Sequence, residues 1–215
     1  EVWGQFAFVT GAFGHPQLVH AFIAGMAARG WPKSEILQIL GAGMSSGDIE
    51  AERDSARRMV VNALPESARN MLYRLSLVIG NFSRATALSV ADIPQSIGLP
   101  GENLDALIGP WVETVGRDRY RISPLAAHFG KEMIPPFERT RIHGSIAARL
   151  MLVRNIDVGD VDRIITHALV GENAGALAMI AAKLLTADES VIRYLGENFS
   201  IFHALPTGRL AFSQD

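Results

Sequence analysis

Apolar positions recur along this chain at helical spacing, and glycine- and proline-built turns interrupt them. The first turn is Thr10-Gly11-Ala12-Phe13-Gly14-His15-Pro16. Gly11 and Gly14 permit backbone angles that other residues avoid, and Pro16 suits the first turn of a helix. Leu18, Val19, Phe22, Ile23 and Met26 then share a helical period, which predicts a helix over about 17–29 with Gly30 as its stop. A short helix over about 34–40 and a Gly/Ser-rich break over 41–47 follow. From Asp48 to about Val61 the pattern is helical again, with Asp48 as the cap and Arg53, Arg57 and Arg58 on an outer face. The step Leu64-Pro65-Glu66 opens a new unit, so the first segment is 1–64.

The second segment, 65–155, reads as three short helices and a hairpin. Helix one is expected over about 66–78, with Met71, Leu72, Leu75, Leu77 and Val78 apolar and Gly80-Asn81 breaking it. Ser83 caps a second helix over about 83–91, and a third covers about 102–112. Val112-Glu113-Thr114-Val115 and Tyr120-Arg121-Ile122-Ser123 alternate on either side of a Gly/Asp turn, the mark of a β-hairpin. Three helices followed by a hairpin is the winged-helix order, a helix-turn-helix variant. Two more helices are expected, over about 124–133 and 137–154, separated by Pro135-Pro136.

The third segment, 156–215, is helical in pattern: about 157–170, an alanine-rich 174–185 and 188–195, with Gly171-Glu172-Asn173 as a turn. Antiparallel helices with small residues at their contact are the unit of an α-solenoid. The fold class expected is mainly α: a helical segment, a winged-helix domain with one small β-hairpin, and TPR-like helical hairpins.

Composition narrows the function classes. Apolar residues are 48% and charged residues 20%, enough to build a core. The net charge of -2 and pI near 6.3 are unlike those of a dedicated nucleic-acid binder. With no cysteines, there is no disulfide frame, cysteine nucleophile or Cys-ligated metal. His15, His20, His128, His143, His167 and His203 offer no His-x-x-x-His pair, so no metal site is expected. No apolar run approaches the ~20 residues of a membrane helix. The opening Glu1-Val2-Trp3, without an initiator Met, suggests an internal piece of a larger signalling protein. Its expected location is the cytoplasm.

The run Thr10-Gly11-Ala12-Phe13-Gly14-His15-Pro16-Gln17-Leu18-Val19 before an apolar helix resembles the Gly-x-Pro region of STAND-class NTPases, relatives of NB-ARC and AAA+ ATPases. Leu64-Pro65-Glu66-Ser67-Ala68-Arg69 and Gly80-Asn81-Phe82 are similar to that family's winged-helix start. The order of units is the family's order, in which a winged helix follows the nucleotide-binding core and precedes a repeat array. The resemblance implies that Gly14, His15 and Pro16 lie near the adenine of ATP or ADP. The family's Met-His-Asp motif, whose histidine reaches the phosphates, matches Ile122-Ser123-Pro124 here. Ser123 is then the phosphate-side residue, able to hydrogen-bond but without a histidine's charge. The chain has no Gly-x-x-x-x-Gly-Lys-Ser/Thr, so no loop of amides cradles phosphates. The implied ATP/ADP belongs to the parent chain and is not expected to bind this chain tightly alone. The implied partners are an upstream nucleotide-binding domain and downstream repeats, and the chain is not an enzyme by itself.

Two other readings stay open. A winged helix can bind DNA through its third helix, and Arg117, Arg119 and Arg121 on the wing are candidate contacts for nucleic acid or a partner. The third helix carries Glu102 and Asp105 and no Lys or Arg, which phosphate repels. The remaining reading is a ligand-free scaffold of helical repeats.

Overall fold

In a computed structural model the chain is described over residues 16–34, 49–152 and 158–198. Gly14, His15, most of the helix expected at 34–40 and the break at 41–47 lie outside the described residues. The fold is mainly helical with one two-stranded antiparallel hairpin. No helix among the described residues is long and apolar enough to cross a membrane.

Helix α1 is Pro16–Ala28. Leu18, Ala21, Phe22 and Met26 form its buried stripe. It ends where Gly30 turns to φ 70°, the left-handed geometry that glycine adopts without strain. The Trp31 amide then bonds the Met26 carbonyl at 2.9 Å. Helix α2, Ile49–Asn62, packs on α1 and buries Val60 and Val61. Both join one hydrophobic cluster with the helices that follow.

Helix α3, Glu66–Leu75, starts behind Pro65 and buries Ala68, Met71, Leu72 and Leu75. The apolar pattern predicted three more helical residues. Instead the chain tightens after Leu75: Leu77 and Val78 bond back three residues, to Arg74 and Leu75, and Gly80 reverses direction at φ 71°. Leu77 and Val78 remain buried, so the pattern reported burial correctly and helix too far. Phe82 then exchanges two 2.8 Å backbone bonds with Tyr120, adding a bridge to the hairpin's edge. Helix α4, Arg84–Ala91, follows, and Ser83 Oγ accepts the Thr86 amide at its start.

Helix α5 is Pro100–Leu107, not 102–112. Pro100 sits in its first turn. Pro110 has no amide to donate and its ring clashes with a preceding turn, so the helix stops before it and Trp111 enters the core at 2% exposure. Strands β1, Val112–Gly116, and β2, Arg119–Ile122, pair with Glu113 opposite Arg121 and a bulge between Thr114 and Gly116. Asp118 takes a left-handed φ of 53° in the turn. The order helix, bridge, helix, helix, hairpin is that of a winged helix.

The helix expected over 124–133 divides into a 3-10 turn, Pro124–Ala126, and α6, Phe129–Met133. The Gly130 amide is claimed by Ser76 Oγ at 2.7 Å, while that hydroxyl donates to the Tyr73 carbonyl at 2.8 Å. This seats the start of α6 on the end of α3. Helix α7, Pro136–Leu150, buries Ile142, Ile146, Ala147 and Leu150 and packs on α4, α6 and α8. Helices α8, Val158–Val170, and α9, Ala174–Leu185, form a hairpin, and α10 is Glu189–Asn198. Asn173 both caps α9, accepting the Ala176 amide, and donates to the Gly144 carbonyl of α7 at 2.9 Å.

Gly144 and Gly171 meet backbone to backbone. A Cβ on Gly171 would lie 2.1 Å from the Gly144 nitrogen. Gly171→Ala therefore forces α7 and the α8–α9 turn apart, and we expect a loss of about 1–3 kcal/mol in urea unfolding. Gly25, inside α1 with open space around it, gives the opposite sign: Gly25→Ala gains about 0.5–1 kcal/mol from helix propensity. Equal effects at the two sites would contradict the contact.

Candidate functional site

Pro16 is exposed at the first position of α1. One turn later His20 reaches the winged unit: its Cε1 is 3.6 Å from where a Cβ on Gly109 would stand. Gly109 has φ 115°, a conformation that a side chain would strain. The segment 109–112 is also held from the other side. Ser123 donates its amide to the Trp111 carbonyl at 2.9 Å. Ser123 itself is 1% exposed, and its Oγ accepts the Leu125 amide at 3.4 Å at the start of the 3-10 turn. Its hydroxyl is thus engaged inside the fold, while Pro16 faces solvent. His20 and Ser123 thus reach segment 109–112; Gly14 and His15 lie outside the described residues.

On the wing, Arg121 is bound to Glu113, with Nη2 at 2.5 Å and Nε at 3.2 Å from one carboxylate oxygen. Arg117 and Arg119 are exposed, Arg119 across from Gly116. The neighbouring helices balance these charges. Arg84 on α4 grips both oxygens of Asp105 on α5, at 2.6 and 2.9 Å. That hydrogen bond holds the Asp105 carboxyl below its ordinary range. Asp118 accepts the Arg84 amide at 3.4 Å. Arg84, Arg117, Arg119 and Arg121 are thus matched by Glu102, Asp105, Glu113 and Asp118. The α4–α5–wing face is near neutral, without the continuous positive surface on which duplex affinity depends.

The most unusual group is a buried arginine that helical periodicity alone does not single out. Arg74 lies on the buried side of α3 and is 5% exposed. Its Nη1 donates toward the carbonyls of Val90, Ala91 and Ile93, at 3.5, 3.4 and 3.1 Å. Its Nη2 donates to Gln95 O at 3.0 Å and faces Glu138 Oε1 at 3.5 Å. Burial pulls its pKa below the ordinary value, and the Glu138 charge opposes that pull. The signal was present in the sequence: a charge flanked by Leu72 and Leu75, three residues after Met71, on an otherwise apolar stripe.

Arg74 also lines a recess of about 620 Å³ between α3, the α4–α5 loop and the α6–α7 link. Glu66, Asn70, Gln95 and Glu138 give this recess a polar wall. It has the size of a small-molecule site. Among the described residues no group of three or more His, Cys, Asp or Glu side chains is arranged to hold a metal.

No protein-family profile matches the chain, and comparison with curated proteins and with solved structures found no match.

Removing the guanidinium strands the carbonyls at the end of α4 and the Glu138 charge. Arg74→Met is expected to cost about 2–4 kcal/mol in chemical unfolding. Arg74→Lys recovers only part, because an ammonium lacks the flat, five-donor fork. Hydrogen exchange should rise first at residues 92–99. Unchanged protection there in Arg74→Met would refute the assignment.

Proposed function

We propose that this chain is the regulatory part of a STAND-type switch. It would lie against an upstream nucleotide-binding domain in the same polypeptide and pass that domain's ATP or ADP state to downstream helical repeats. One observation carries the reading. His20, one turn after Pro16, and Ser123, the residue that the family resemblance assigns to the phosphates, reach one short segment, 109–112, at Gly109 and at the Trp111 carbonyl. A nucleotide presented there by an upstream domain would meet the exposed ring of Pro16 first.

Ser123 has a different part in this reading. Its Oγ accepts the Leu125 amide at 3.4 Å, and a phosphate oxygen would compete with it for that amide. Winning that competition would shift the Pro124–Ala126 turn, and α6 follows it in the chain. A nucleotide switch needs such a two-position element, biased by differential contact. Turnover of ATP would belong to the upstream domain, since this chain carries no phosphate loop. The near-neutral α4–α5–wing face favours contact with protein over contact with DNA.

The test is the nucleotide content of the longest natural polypeptide that carries this chain. The purified protein is heat-denatured and the supernatant resolved by ion exchange. About one ADP or ATP per chain is expected, reduced severalfold in Pro16→Ala. Ser123→Ala is expected to change the ratio of ADP to ATP more than their sum. If no nucleotide appears, even after incubation with ATP and magnesium, the switch reading fails and a ligand-free helical scaffold takes its place.

A further inference from the structure

His143 of α7 and His167 of α8 face each other with their Nδ1 atoms 2.8 Å apart and ring centroids 4.9 Å apart. His167 is fully buried, and its Nε2 lies 3.3 Å from the Ile79 amide nitrogen. The backbone N–H can only donate, so Nε2 of His167 is the bare nitrogen and its proton sits on Nδ1. That proton is donated to Nδ1 of His143, whose own proton is on Nε2. One arrangement of protons therefore satisfies all three groups: Ile79 N–H to His167, His167 to His143. It is a neutral arrangement.

A proton added to either ring has no bare nitrogen to occupy without breaking this chain of bonds. On His143 Nδ1 it meets the His167 N–H head on. On His167 Nε2 it meets the Ile79 N–H. Shifting the shared proton toward His143 lets the added one sit only on His167 Nε2, where it faces the Ile79 N–H, so the conflict moves and does not disappear. The charged groups nearby add to the penalty. Arg139 on α7 acts on His143, and Arg163 on α8 acts on His167. The 79–81 turn faces α8 with backbone groups, and the Asn81 carbonyl is already bound by Arg163. Asp160 holds Arg163, and both Asp160 and Asp162 lie more than one turn before His167.

We propose that this pair is a proton-sensitive clasp that fastens the first helical hairpin, α8–α9, to the winged unit and releases it as the pH falls below neutrality. The clasp joins three elements at one buried point: α7, α8 and the turn that follows α3. Its neutral state is what burial demands. Desolvation pushes both histidines below their ordinary pKa of 6.5, His167 to about 3. A group whose folded pKa is depressed gives its full stability above the unfolded pKa and loses it as pH falls toward the folded one. The window thus opens near pH 6.5 and extends down toward 3. Between pH 7.5 and 5.5, His167 alone shifts the opening equilibrium about tenfold. Ordinary carboxylates, which titrate near 4, contribute little in that interval. The inference does not require a nucleotide and stands apart from the switch reading.

Long-range ¹⁵N–¹H correlation spectra of the full chain at pH 7.5 test the tautomers. His167 should carry its proton on Nδ1 and His143 on Nε2, and neither should titrate above pH 5.5. Amide protection, corrected for intrinsic exchange, should fall at least about tenfold at Ile79 and along α8 between pH 7.5 and 5.5, and further where opening frees His143 as well. In His143→Gln/His167→Gln that pH dependence should vanish. Should the double variant fold poorly, the wild-type tautomers and His143→Gln alone, at the half-buried position, decide the question. Titration of either ring near pH 6.5, or the same pH-dependent opening in the double variant, would overturn the clasp.

Discussion

One buried guanidinium holds the winged unit in register. The C-terminal end of a helix leaves its last carbonyls without partners, and α4 ends inside the fold, with Val90 and Ala91 buried. Arg74 supplies their donors from α3 and continues along the loop to Ile93 and Gln95. A positive charge is favoured at that end of a helix, and Glu138 answers it from α7. The loop contains Gln95 at φ 68° and ends on Leu99 at φ 49°, both uncommon for residues with side chains. Such a loop keeps its shape because something outside it fixes its carbonyls. From the far side Asn103 donates to the Gly98 carbonyl and accepts from Ser67, so α3 grips the loop at both ends. The placement of α5, and through it of Trp111 and the hairpin, follows from that grip.

With the winged unit fixed, its two ends differ in character. The α4–α5–wing face pairs its charges locally: Arg84 with Asp105, Arg121 with Glu113. Exposed pairs of this kind contribute little to stability, but they neutralise the surface that other winged helices turn toward phosphate. The end that carries segment 109–112 is different. There α1 and the hairpin meet over a glycine that no other residue replaces easily, and the resemblance to nucleotide switches points to the same end. The proposed nucleotide switch would act at this end, where separate parts of the chain converge.

Much of this architecture was legible in the sequence because it depends on local signals. Gly30 as a stop, Ser83 as a cap and the hairpin about Gly116–Arg119 are decided within a few residues. Errors arose where distant contacts overrode local pattern. Leu77 and Val78 are as apolar as a helix requires, yet the chain turns there to bring Ser76 under Gly130. Segment 124–133 splits where Ser76 takes the Gly130 amide, a bond that no local pattern announces. Pro110 should have shortened the third helix on steric grounds alone. The site was less legible than the fold. Arg74 could be noticed as a charge on an apolar stripe, but not its four carbonyl partners. Helical metal spacing does not reveal the histidine pair, whose members lie 24 residues apart on two different helices.

The meeting of Gly144 with Gly171 also bears on mechanics. Two backbones in direct contact, with Asn173 bonded across them, leave no layer of side chains to slide on. While the His143–His167 pair is closed, helix α7 and the α8–α9 turn therefore move as one lever. A displacement entering through the winged unit would reach the far end of α9 as a rotation about that lever's root, its amplitude growing with distance. The tip at Leu185, 86% exposed, would travel farthest.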